Sequence, residues 1–333
     1  MIARALPSAL LLATACDVTV PPDTAESADA WHATGHVVFV EEHGPPDFRV
    51  ASLDLETREV RTLFALPAGA FAYDLDVSPV DGTILLAYSE PAAPGEDGFD
   101  RSVVVALGDD GPSRWVAGEA GPGAWALYPR WSADAQSVWY VAQTPSLLAG
   151  GVPHALLRAD AGSGETTATI DWATEPAVAP DGEHLAYIAV DPVTTGRSLQ
   201  LADVDGRPLL RLIDEEEHPD LAHPLFSADG RELYVFVVAD STPRSWSFAV
   251  DPSPLGHGAH LAPGDWFAIP IEGGSLRRLT STATVHYGAA TGDDASVLVT
   301  ASQVGIDLVA PKAKVYEQLL FNRAVRSLAW QRD

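Results

Sequence analysis

Cysteine is all but missing from this chain: Cys16 is the single one in 333 residues. One thiol makes no intrachain disulfide and cannot build a cysteine-based structural zinc site. Basic residues are scarce as well, with 20 Lys plus Arg against 46 Asp plus Glu, and the resulting formal charge of −26 repels a phosphate backbone. Nucleic acid is therefore a disfavoured partner. No segment beyond the N-terminus approaches the ~20 apolar residues that cross a bilayer as a helix. No Gly-x-Ser-x-Gly is present to form a nucleophile elbow, and no glycine-rich phosphate loop.

What is present is a repeat. An apolar or aromatic residue, a small residue and an acidic turn recur as Val77-Ser78-Pro79-Val80-Asp81-Gly82, Trp131-Ser132-Ala133-Asp134, Val178-Ala179-Pro180-Asp181-Gly182 and Phe226-Ser227-Ala228-Asp229-Gly230. The anchors Asp81, Asp134, Asp181 and Asp229 are separated by 53, 47 and 48 residues, about the length of one four-stranded propeller blade. Asp accepts hydrogen bonds from the backbone ahead of it, and Gly takes φ > 0 without a Cβ clash, so the phrase is a turn. Runs rich in Val, Ile and aromatics follow it, such as His184 to Val190 and Glu232 to Val238. A second hairpin completes each unit, as at Asp203-Val204-Asp205-Gly206, which has half of a calcium loop's acidic spacing but no downstream Glu and so reads as a plain turn.

A fifth, weaker unit starts at Thr291-Gly292-Asp293-Asp294. The last residues, Ser327-Leu328-Ala329-Trp330, align with the Trp131 strand but have nothing after them, while His36-Val37-Val38-Phe39-Val40 is a second strand with no first. Pairing the two orphans closes a ring and removes its open edges. The expected fold is all-β: a six-bladed β-propeller of four-stranded antiparallel blades, closed by a C-terminal inner strand that completes the first blade. The phrase, together with Gly-Gly-Ser-Leu-Arg-Arg-Leu-Thr at 273–280, resembles the WD40-like propeller repeat of the TolB family over residues 35–333. The resemblance is to the propeller module: TolB carries an α/β domain ahead of it, where this chain enters strands soon after Ala30.

The N-terminus carries Arg4, an apolar stretch from Ala5 to Ala13 and small residues Ala13-Thr14-Ala15 before Cys16. It resembles a bacterial lipoprotein signal, which implies a lipid on Cys16, a membrane attachment through that anchor alone and a location facing the periplasm or cell exterior. Ala13-Thr14-Ala15 also fits an ordinary secretory cleavage site, and an uncleaved apolar terminus is the third reading. The expected organisation is a signal peptide at 1–15, a disordered acidic tether at 16–34 and the propeller at 35–333.

Strand order then sets the functional face. In a propeller the turns after the first and third strands lie on one side and the remaining connections on the other; here the second set holds the long segments, Glu90 to Arg101, Gln143 to Pro153, Asp191 to Arg197, Asp214 to Ala222 and Asp240 to Asp265. Three residues before each inner-strand anchor stand Asp74, Tyr128, Glu175, His223, Tyr287 and Ser327, expected to ring the mouth of the central channel. The bland alternative is that they solvate the channel and bond the neighbouring loops. Glu215-Glu216-Glu217-His218 with His223, and His257 with His260, have ligand-like composition but read as solvated surface groups, so no metal and no cofactor is expected. Trp131 and Trp330 are expected as wedges between blades. The reading that follows is a non-enzymatic, monomeric, exported module binding a protein, peptide or envelope component. A metal-assisted lyase or hydrolase acting on an extracellular polymer, and an architectural envelope protein, are the alternatives.

Overall fold

Each acidic anchor closes a turn by the same chemistry. In blade 3 the Ser132 hydroxyl donates to Asp134 Oδ1 at 2.6 Å, and that carboxylate accepts the Gln136 amide at 3.0 Å. Ser227 and Asp229 repeat the pattern in blade 5 at 2.7 Å and 3.1 Å. The serine hydrogen bonds from Ser78 and Ser132 hold Asp81 and Asp134 below the usual carboxylate range. The next residue must turn left-handed: Gly82, Gly182 and Gly230 have φ of 71°, 73° and 69°, and Ala135 takes 54° in the one of these four turns that lacks glycine.

The computed structural model describes residues 34–44, 47–89, 101–108, 111–117, 123–216, 218, 220–238, 263–281, 284–292, 297–302, 304–310 and 315–331. The signal, the tether, Cys16 and most of the Asp240 to Asp265 insertion lie outside those residues. Six four-stranded sheets form, each with its strands in the order inner to outer. Blade 1 consists of Ala324–Gln331 (β24), His36–Gly44 (β1), Asp47–Asp54 (β2) and Val60–Ala65 (β3). Blade 2 runs through Phe71–Val77 (β4), Ile84–Ser89 (β5), Val103–Gly108 (β6) and Gly111–Ala117 (β7). Blade 3 contains Trp125–Trp131 (β8), Ser137–Gln143 (β9), Ala155–Asp160 (β10) and Thr166–Asp171 (β11), with a short helix, Pro145–Ala149 (α1), in its upper loop. Blade 4 is Ala173–Val178 (β12), His184–Val190 (β13), Arg197–Asp203 (β14) and Pro208–Ile213 (β15). Blade 5 has Leu221–Phe226 (β16), Glu232–Val238 (β17), Gly264–Pro270 (β18) and an outer strand of only two residues, Arg277–Arg278 (β19). Blade 6 is His286–Thr291 (β20), Leu298–Ser302 (β21), Gly305–Ala310 (β22) and Val315–Phe321 (β23).

The ring closes as the sequence predicts. β24 pairs antiparallel with β1, setting Val37 opposite Trp330 and Val40 opposite Ser327. Trp330 reaches the neighbouring blade, where a Cβ on Gly292 would come within 2.6 Å of its ring. Trp131 likewise bridges two blades, its indole N–H donating to the Thr83 carbonyl of blade 2 at 3.1 Å.

The core lies between the sheets. Val38 and Phe48 meet Leu75 and Leu86 across blades 1 and 2; Val104 and Trp139 join Leu185 and Tyr187 across blades 2 to 4; Leu199 meets Phe226 and Val235 across blades 4 and 5. Burying each such side chain contributes about 1.5–3 kcal/mol, so the interfaces carry the stability. The turn of blade 3 works against it, because a left-handed alanine costs what a glycine does not. Ala135→Gly is expected to raise unfolding free energy by about 1 kcal/mol in urea titration, and an unchanged or lower midpoint overturns the reading of that turn.

Candidate functional site

Every inner strand breaks register at the same height. The pairing shifts between Ala72 and Asp74, Leu127 and Arg130, Thr174 and Ala177, Ala222 and Leu225, and His286 and Gly288, while in blade 1 it shifts opposite Ser327, between Val40 and Glu41. A bulge re-aims the side chain that sits on it. In blades 3, 4 and 5 the bulged residue is also left-handed, with φ of 51° at Tyr128, 49° at Glu175 and 52° at His223. Each precedes a proline, Pro129, Pro176 and Pro224, whose ring disfavours the right-handed helical conformation before it. For a non-glycine residue such a conformation costs about 1–2 kcal/mol, so three in register mark a part of the ring under strain.

The bulges send the six predicted side chains two ways. Asp74, His223, Tyr287 and Ser327 line a cavity of about 260 Å³ along the ring axis, to which all six inner strands contribute. Tyr128 and Glu175 do not line it. Glu175, 4% exposed, pairs with the buried Arg197 guanidinium of β14, and its other oxygen accepts the His223 amide of blade 5 at 2.6 Å. Tyr128 packs against the core of blades 2 to 4, where burial and the nearby carboxylates of Glu175 and Asp74 push its phenol well above the ordinary range.

Two further lining residues, unremarked in the sequence, complete the mouth. Arg130 donates to Asp74 Oδ2 at 2.7 Å and to the Pro129 carbonyl at 2.7 Å, and the Ser327 hydroxyl donates to the other Asp74 oxygen. One carboxylate thereby ties blades 1, 2 and 3 together. Asp76, two residues along the same strand, accepts the Trp131 amide at 2.7 Å; burial pushes its pKa up to about 6 against the pull of Arg130. Beside Tyr287, the Arg326 guanidinium sits 5.7 Å from the ring centroid and bonds Glu42 at 2.7 Å.

The other expected groups fall elsewhere. Asp203 Oδ1 accepts the Asp205 and Arg207 amides at 3.0 Å and 2.8 Å, as a hairpin turn requires. Glu215 accepts the Thr194 hydroxyl, and His218 lies beside the Phe267 ring, 6.4 Å between centroids. Glu217, His257 and His260 lie outside the described residues. Among the described residues, no three His, Cys, Asp or Glu side chains converge to hold a metal ion.

Burial lowers His154, His223 and His286 to about 4, with Glu175 opposing at His154 and His223 and Asp265 opposing at His286. The unfolded chain, with histidines near 6.5, then binds more protons than the folded one between pH 6.5 and 4. Their contribution is complete above pH 6.5 and is lost as pH falls to 4; His286 alone, 1% exposed, accounts for on the order of 3 kcal/mol. Asp76 runs the opposite way, because its raised pKa makes the folded state the better proton binder between about 4 and 6. Burial raises Asp220 and Asp307 in the same direction as Asp76; the three histidines outweigh these aspartates, so the urea midpoint is expected to fall between pH 7 and 4.5 and His286→Phe to flatten that fall. An equal slope in the variant removes His286 from the account.

The sequence matches no protein-family model and no curated protein. Its fold has clear parallels among solved structures. TolB from Acinetobacter baumannii superposes with a TM-score of 0.65 at 14% identity, over 89% of this chain and 66% of that one. A TolB-type protein from Agrobacterium tumefaciens gives 0.57 at 13% identity over 90% of this chain and 100% of its own. Hydrazine synthase of Kuenenia stuttgartiensis gives 0.51 at 17% identity, covering 79% and 71%. At these identities the likeness is one of architecture, and by architecture the chain is a six-bladed β-propeller of the kind seen in TolB.

Proposed function

We propose that the propeller is a non-enzymatic, monomeric binding module that recognises a protein or peptide of the cell envelope through its long-loop face and channel mouth. The observation that carries this reading is the mouth itself, where Asp74, Arg130, His223, Tyr287 and Ser327 converge from five blades onto one polar opening. The groups are preorganised: Asp74 is fixed by Arg130 and Ser327, and Tyr287 stands against Arg326. Polar groups held before a partner arrives lose little entropy when it binds.

The surface around the opening supports a protein partner over a small solute. Among the described residues, Leu148, Val193 and Val304 are large apolar side chains exposed on long-face connections and Phe321 is exposed at the end of β23 that leads into one, whereas Val80 is the one such residue on an opposite-face turn. Val193 is 87% exposed. Apolar anchors around a polar centre suit a macromolecular interface. The N-terminal segment supports export through its lipoprotein-like signal, with Cys16 as the lipidated residue and the acidic tether at 16–34 holding the propeller off the membrane.

Two measurements test this. With a photo-crosslinking residue placed at Val193, Val304 or Val80 of the full chain in cells, adducts are expected at least tenfold more abundant from the first two positions. Equal yield from Val80 overturns the face assignment. Mass spectrometry of the mature N-terminus is expected to show a lipid-modified Cys16, and a free Cys16 or a chain starting elsewhere refutes the anchor.

A further inference from the structure

The six joints between blades are not chemically alike. At the mouth, polar bonds cross three of them: Ser327 to Asp74 between blades 1 and 2, Arg130 to Asp74 between blades 2 and 3, and the His223 amide to Glu175 between blades 4 and 5. The joint of blades 5 and 6 has its crossing bond at the other end, where the Thr291 hydroxyl donates to the Phe226 carbonyl at 3.0 Å. Nearer the mouth, it buries polar groups that find no hydrogen-bond partner among the described residues. These are Trp266 Nε1, both ring nitrogens of His286, Thr300 Oγ1 and Asp307 Oδ1, on residues that are 0–2% exposed.

The strands put these groups on facing surfaces. Leu298 and Val309 of blade 6 pack against Phe236 and Trp266 of blade 5. Thr300 follows Leu298 by two residues and pairs with Asp307, which precedes Val309 by two, so both side chains project from that same face. His286 pairs with Ser302 one pleat nearer the mouth, its ring centroid 5.5 Å from Phe236 and 6.2 Å from Trp266. His223, which lines the channel, lies 6.4 Å from Trp266. A polar row thus runs inward from the mouth, with indole, imidazole and hydroxyl donors and imidazole, hydroxyl and carboxylate acceptors. Water satisfies such a set.

We propose that blades 5 and 6 meet across a polar seam and that the ring opens there, from the mouth end, more readily than on the other face of blade 6. Opening solvates these atoms, which offsets part of the cost of exposing Phe236, Trp266, Leu298 and Val309. The Thr291 bond at the far end acts as the hinge point. The seam lets into the channel mouth, next to His223 and Tyr287, so its opening alters the same rim to which binding is assigned above.

Thiol trapping tests this on the full chain carrying Cys16→Ser, with no partner present, so that the outcome does not depend on what the mouth binds. Thr300→Cys reports on the seam. Ala301→Cys, fully buried on the next residue, projects from the opposite face and reports on unfolding of the strand. Under native conditions a methanethiosulfonate reagent is expected to label Thr300→Cys at least tenfold faster than Ala301→Cys. Ser302→Cys, on the seam face nearer the mouth, provides a second reporter should Thr300→Cys fail to fold, and is expected to label faster still. Replacing the polar lining by His286→Phe with Asp307→Leu is expected to slow trapping at Ser302→Cys at least tenfold. Equal rates at the two faces, or no slowing by the apolar lining, overturn the proposal.

Discussion

The pairing of β24 with β1 is the constraint on which the rest of this molecule depends. Until the last strand docks beside one of the first, blade 1 lacks its inner strand, and β1 presents a row of unpaired amides and carbonyls. Docking also seats Trp330 against Gly292, so a single event completes a sheet and fills a joint between sheets. Contacts between chain ends are costly in loop entropy and slow to form, which makes closure the step that the other contacts must support. The packed interfaces between blades then hold the inner strands around the axis, and the channel is the space left over.

That geometry explains why the mouth is both polar and strained. Inner strands converge on the axis, and the unpaired edge of each faces the cavity. A regular strand would keep its side chains pointing at the neighbouring blades. The register shift at every mouth position breaks this alternation and lets carboxylates such as Asp74 and Glu175 reach groups on other blades. Each such carboxylate is buried with partners on more than one side, Asp74 with Arg130 and Ser327, Glu175 with Arg197 and the His223 amide. Buried charges persist only when paired and hydrogen-bonded, and here the pairing crosses the joints. The left-handed residues before Pro129, Pro176 and Pro224 are the local cost of those connections.

Much of the fold was legible because turn chemistry is local. Ser-x-Asp-Gly specifies its own hydrogen bonds and its own φ, so its period could be read as blades, and the unpaired strands at His36 and Trp330 could be matched by their patterns alone. The mouth was legible only in part. Counting back from the aromatic anchors located the correct height in every blade, yet it gave no direction, since a bulge decouples side-chain direction from strand period. Asp74, His223, Tyr287 and Ser327 face the cavity, whereas Tyr128 and Glu175 do not. Arg130 and Asp76 were missed because nothing in sequence ties them to Asp74 and Trp131 across a joint. The prolines after Tyr128, Glu175 and His223 were the available signal, a repeated residue that restricts its predecessor.

A closed ring also distributes stress, which gives its chemical unevenness a consequence. Because each blade touches two others, widening any one joint must be absorbed around the circle. At the joints of blades 1 and 2, 2 and 3, and 4 and 5, displacement loses apolar packing and leaves charges such as Asp74 or Glu175 short of partners. Across blades 5 and 6 the balance differs, since Thr300, Asp307 and His286 gain hydration when the faces part. The seam proposed above would place the yielding interface on one side of the opening. With recognition proposed at the rim, that arrangement would confine adaptability to that side and leave the preorganised Asp74–Arg130–Ser327 side fixed.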